Sequence, residues 1–143
     1  MNNIFTKCKP AILLYSSLCA LSISYAQSET VWDGVYSSVQ AERGEGVYNN
    51  ACISCHGKDL GGNSNSPGLV GMGFMFLWEG RTLGEFFEKI REEMPTDRPG
   101  QLPVQDYVDV IAYIMKANSF PAGDRELPLE VEALTAIAIA PKP

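Results

Sequence analysis

Histidine occurs once in these 143 residues and cysteine four times, with two of the cysteines inside the first 26 positions. A structural zinc site needs about four nitrogen or sulfur ligands. Beyond position 26 the chain offers only Cys52, Cys55 and His56, so zinc lacks ligands. Positive charge is sparse too: 11 Lys and Arg stand against 17 Asp and Glu, for a formal net charge of −6. Nucleic acid and anionic membrane surfaces are poor partners for such a chain. Long apolar runs are also missing. The stretch from Ala11 to Ala20 falls short of the roughly 20 residues that a membrane span prefers.

That short run has another use. Lys7 and Lys9 precede it and Ser24-Tyr25-Ala26 follows with a small-x-small cleavage site, so residues 1–26 read as a secretory signal. Leu18 stands before Cys19 where a lipoprotein signal has small residues. Cleavage predicts a periplasmic protein without stable membrane insertion. It removes Cys8 and Cys19, and 143 less 26 leaves 117 residues, one domain's worth at 27–143 with an N-terminal arm and a C-terminal tail. Losing Lys7 and Lys9 takes the net charge from −6 to −8.

What the chain does have is Cys52-Ile53-Ser54-Cys55-His56. The CxxCH spacing puts two thiols on one side of a helical turn, where they can reach both vinyl groups of one porphyrin. The adjacent imidazole is a strong nitrogen donor for iron. A dithiol redox pair or a plain disulfide uses the same cysteines, but neither needs His56. A thioredoxin-like CxxC follows a strand, whereas the residues before Cys52 read as helix. The motif therefore predicts one haem c, bound covalently through Cys52 and Cys55, with His56 on the iron.

Around it, three helices are legible. Ser37 with Gln40 is a capping-box pattern for a helix over about 38–50, and Gly44 and Tyr48 share the face of Cys52. Gly46 has no evident packing role. Thr82 with Glu85 opens a second helix, whose stripe Leu83, Phe86, Phe87, Ile90 ends before Pro95 and delivers Met94. Tyr107, Val110, Ile111, Ile114 and Met115 give a third. Residues 31–36 read as an extended arm packed on the domain, and 57–66 as a Gly, Asn and Ser-rich loop. Phe74 to Trp78 is an apolar segment with aromatics large enough to wall a porphyrin. Val131, Leu134 and Ile137 predict one short docked turn, and the final proline-flanked residues are expected to fray.

In Gly44, Tyr48, Cys52, Cys55 and His56 the chain resembles the class I c-type cytochromes, and Pro67-x-Leu69-x-Gly71 and Met94-Pro95 extend the resemblance. It implies an all-α fold with about three main helices wrapped around the haem, the first and last crossing at Gly44 with Tyr113 packed on the first. It further implies that the Pro67 carbonyl accepts the free ring N–H of His56 and that Met94 is the second axial ligand. A thioether opposite histidine favours ferrous iron. Met72, Met75 and Met115 compete for that role. Trp78 through its indole N–H, or Arg81 through its guanidinium, is available to a haem propionate, with generic core as the competing reading.

The arm from Trp32 to Tyr36, the run from Gly80 to Gly84 and Phe120-Pro121-Ala122-Gly123 are similar to small periplasmic cytochromes associated with quinoprotein alcohol dehydrogenases. This implies a one-electron carrier with no catalytic residues of its own. Its partners would be redox proteins with a basic or neutral docking face: a quinoprotein dehydrogenase as donor, an oxidase or another cytochrome as acceptor. A haem subunit held within a quinoprotein dehydrogenase complex, or a five-coordinate gas-binding or peroxidatic cytochrome, remains open from sequence.

Overall fold

Helix α1 (Ser38–Ala51) begins where Ser37 Oγ accepts the Gln40 amide at 3.0 Å. The computed structural model describes residues 29–143, so the signal expected over residues 1–26 lies outside it. Only half of the expected capping box forms here. Gln40, fully buried, turns its amide to the tail, donating to Leu127 O at 3.3 Å and accepting from Leu127 N at 2.7 Å. The short α2 (Ile53–His56) follows α1, and α3 (Gly71–Trp78), α4 (Leu83–Glu93), α5 (Val104–Ala117) and α6 (Val131–Thr135) complete the helices among the described residues. The fold is all-α in its frame, with α1, α4 and α5 as the long members.

The crossing of α1 and α5 is the centre of the core. Tyr48 and Ala41 on one helix and Val108, Ile111, Ala112 and Met115 on the other are wholly buried. Tyr48 and Tyr113 meet with ring centroids 5.3 Å apart. A Cβ on Gly44 would overlap the Asp109 carbonyl, so only glycine lets the two backbones come this close. Beside the crossing, Arg43 donates to Asp109 at 2.9 and 3.0 Å and to Glu126 at 2.8 Å through two nitrogens. Asp109 is 3% exposed and also accepts from Gln105 at 2.7 Å. A carboxylate removed from water in this way is tolerated because its oxygens are all engaged.

Helix α4 has both halves of its capping box: Thr82 Oγ1 accepts Glu85 N at 3.2 Å and Glu85 Oε2 accepts Thr82 N at 2.9 Å. Its Leu83, Phe86 and Phe87 face inward. Phe87 meets Tyr107 of α5 edge-on at 6.3 Å.

The ends differ from expectation. The arm does pack on the domain, but it also pairs: β1 (Glu29–Thr30) runs parallel to β2 (Ile137–Ala138), with Glu29 opposite Ile137 and Thr30 opposite Ala138. The docked turn is α6, with Leu134 fully buried. The proline-flanked end, residues 141–143, is exposed, and the chain just before it is held. Ile139 is 0% exposed, its amide donates to Arg81 O at 2.8 Å, and Ala140 O accepts the Trp32 indole N–H at 2.9 Å. Hydrogen bonds to the backbone, invisible in the local sequence, hold the tail.

Candidate functional site

The turn carrying the cysteines is a direct continuation of α1. Cys52 N donates to Tyr48 O at 2.9 Å, and His56 N donates to Cys52 O at 3.0 Å. Both cysteines are free thiols, Cys52 partly buried and Cys55 exposed. Burial, and secondarily the neighbouring Cys55, push the Cys52 thiol up to about 11, against a smaller opposing effect of the Arg98 charge. Arg98 follows Met94 by four positions, so the run after Met94 lies within electrostatic reach of the first cysteine.

His56 is 7% exposed, and its Nδ1 stands 2.9 Å from Pro67 O. A carbonyl can only accept, so Nδ1 carries the proton and Nε2 keeps its lone pair for a metal. The loop between them holds this arrangement. Gly62 N donates to His56 O at 2.9 Å, and Leu69 N to Leu60 O at 2.7 Å. Gly62 has φ +71°, and a Cβ there would run into Ser66 O and the Pro67 carbonyl carbon. Asn63 Nδ2 donates to Cys55 O at 2.8 Å while its Oδ1 accepts the amides of Asn65 and Ser66. From the other side Asn118, at the end of α5, accepts Gly71 N and donates to Leu69 O, each at 2.9 Å.

Met94 ends α4, with its amide donating to Ile90 O at 2.9 Å. Its carbonyl accepts from Tyr107 Oη at 2.9 Å. The other methionines differ in placement. Met115 is buried in the α5 core, Met75 packs against the core, and Met72 is 90% exposed.

The apolar segment is α3, and it is divided between two environments. Phe74 and Trp78 are buried and meet Phe86 of α4 with centroids 5.5 and 4.6 Å apart, while Phe76 is 90% and Leu77 47% exposed. Arg81 lies over the Trp78 ring at 5.2 Å and pairs with Glu85 at 3.4 Å. A propionate at Arg81 would therefore compete with Glu85.

This donor set fits a c-type haem. Two unpaired thiols stand on one turn, an imidazole offers a proton-free nitrogen, and the neutral thioether of Met94 follows 38 positions on. Among the described residues no cluster of three or more His, Cys, Asp and Glu side chains is placed to hold a metal ion. No described helix is long and apolar enough to cross a membrane. Asn63, Asn118 and Tyr107 were not legible as site residues, because their partners are main-chain carbonyls and amides brought near by the fold.

Residues 39–114 match the family described as "Cytochrome C oxidase, cbb3-type, subunit III". Curated proteins give no match. A crystal structure of the sulfane dehydrogenase SoxCD from Paracoccus pantotrophus is similar at 19% identity and a TM-score of 0.49, over 76% of this chain. The chain spans 61% of that chain's length.

Proposed function

Because the chain belongs to the cytochrome c family described as cbb3-type cytochrome c oxidase subunit III, we propose that it is a periplasmic one-electron carrier with a single haem bound covalently through Cys52 and Cys55 and ligated by His56 and Met94. A cytochrome c domain carries electrons on a c-type haem, and that haem supplies the one-electron couple. The observation that supports His56 as a ligand is the pairing of its Nδ1 with Pro67 O at 2.9 Å, while Met94 rests on its place at the end of α4 before Pro95. The pairing fixes the tautomer, holds the ring plane, and raises the basicity of Nε2. Tyr48, on the face that meets α5, donates to Gly57 O at 2.6 Å and steadies the residue after His56. Trp78 and Arg81 are the groups available to propionates, with Arg81 exchanging Glu85 for the new anion. The partners are redox proteins, a quinoprotein dehydrogenase being the donor class that the arm and tail motifs suggest.

The test uses protein purified from cells able to mature c-type cytochromes. Haem should resist extraction by acid and organic solvent in the unsubstituted chain and become extractable in Cys52→Ser/Cys55→Ser. Met94→Ala should lose the weak far-red iron–sulfur band of the oxidised protein, admit carbon monoxide in the reduced protein, and have a lower potential. Extractable haem in the unsubstituted protein, or a band that persists in Met94→Ala, would defeat the assignment. Ready carbon monoxide binding before any substitution would make the protein a ligand-binding cytochrome.

A further inference from the structure

We propose that Tyr107 is a positioning residue for the axial thioether, its hydroxyl holding the Met94 main chain and so narrowing the range of positions open to the sulfur. The inference rests on ligation by Met94. Tyr107 is 2% exposed and sits in the first turns of α5, the helix locked to α1 at Gly44. Its ring is braced edge-on by Phe87, and its Oη donates to Met94 O at 2.9 Å. The Met94 amide is meanwhile held by Ile90 O. One helix therefore fixes the nitrogen end of this residue and another fixes the carbonyl end.

The need for such a clamp is local. Pro95 is buried, but residues 96–101 are all exposed and are held by sparse hydrogen bonds of their own, Arg98 N to Pro95 O and Gln101 N to Arg98 O. Methionine is unbranched with several rotatable bonds. A mobile main chain at Met94 would add to that freedom, and the bound position of the sulfur would be a smaller share of its conformations. Anchoring both peptide groups leaves only the side-chain torsions to be ordered when the thioether meets iron.

Tyr36 provides an internal control. It is also 2% exposed, and its Oη donates to a main-chain carbonyl, Phe120 O, at 2.6 Å, at the arm and tail. Tyr36→Phe and Tyr107→Phe thus delete the same kind of bond, and only the second lies on the Met94 main chain. In the haem-loaded protein Tyr107→Phe should raise the fraction of oxidised molecules lacking the iron–sulfur bond up to about tenfold, the upper end for a half-buried carbonyl that loses its partner but can still find water. The far-red band should then disappear at lower pH, and the reduced protein should bind carbon monoxide more readily. Tyr36→Phe should lower the unfolding midpoint yet keep the band. If Tyr107→Phe does not mature, the double variant Gly46→Ala/Tyr107→Phe supplies the measurement on a better helix former. A band unchanged in Tyr107→Phe, or weakened equally in Tyr36→Phe, overturns the clamp while loss of the band in Met94→Ala upholds the ligand. A band that survives Met94→Ala overturns both.

Discussion

Gly44 of α1 lies against the carbonyl of Asp109 of α5, with Tyr113 Cβ closing the other side at 3.0 Å from where a side chain would begin. Neither neighbour is the free end of a flexible side chain. Gly44→Val should therefore force the helices apart and cost about 1–3 kcal/mol, the usual range for overpacking. Gly46 has nothing within 4 Å of its would-be Cβ. Gly46→Ala should instead gain about 0.5–1 kcal/mol from helix propensity. Denaturant midpoints of the two variants should move in opposite directions, and a stable Gly44→Val would mean that the crossing is not this tight.

The two cysteines should be chemically unequal in chain that has not received haem. Cys55 is exposed, whereas burial pushes the Cys52 thiol up to about 11 from an ordinary 9.0. Since the thiolate is the nucleophile, alkylation near neutral pH should label Cys55 first, with mass spectrometry of the peptides giving the order. The same shift has a stability sign. The folded state favours the protonated thiol, so that contribution is present below about 9 and is lost as pH rises through about 11. Cys52→Ser should flatten this alkaline loss in the haem-free chain.

Leu134 tests whether the tail belongs to the domain. It is fully buried where α6 lies on α4. Leu134→Ala should cost about 2–5 kcal/mol in global stability. A frayed tail would give almost no change, and proteolysis near residues 124–130 should rise in the variant.

Arg43 beside Glu126 holds that carboxyl below its ordinary 4.5. A depressed carboxylate stabilises the fold above its unfolded value and ceases to do so as pH falls through the lower folded value. Stability of the native chain relative to Glu126→Gln should thus be greatest above about pH 4.5 and vanish in stronger acid. Both side chains are well exposed, at 41% and 46%. The difference should therefore stay within about 1 kcal/mol.

The helix frame and the candidate haem donors are legible in the sequence because their signals are local. CxxCH, the Thr82–Glu85 box and the apolar stripes of α4 and α5 each lie within a few turns. Helix α3 was harder to see, since apolar residues cover both its faces: Phe74 and Trp78 point inward and Met72 and Phe76 outward. No period separates them. Gln40 shows the opposite difficulty, a correct local pattern whose amide is claimed by Leu127, 87 positions away. What supports the candidate ligands is similarly remote in sequence. Tyr107, Asn63 and Asn118 act on backbone groups, and a backbone carbonyl has no letter in the sequence.

The parallel pairing of β1 with β2 decides how the molecule answers a pulling force. Because β1 and β2 run the same way, pulling the N-terminal side of Glu29 against the C-terminal side of Ala138 loads the pair along its strands. Tension applied between the termini slides one strand along the other instead of peeling them apart. Val31 N to Ala138 O and the Trp32 bond to Ala140 share that load with the pair. A protein tethered by its two ends, for example between a bead and a surface, should thus yield in a single abrupt extension at the arm and tail before α1 and α5 separate.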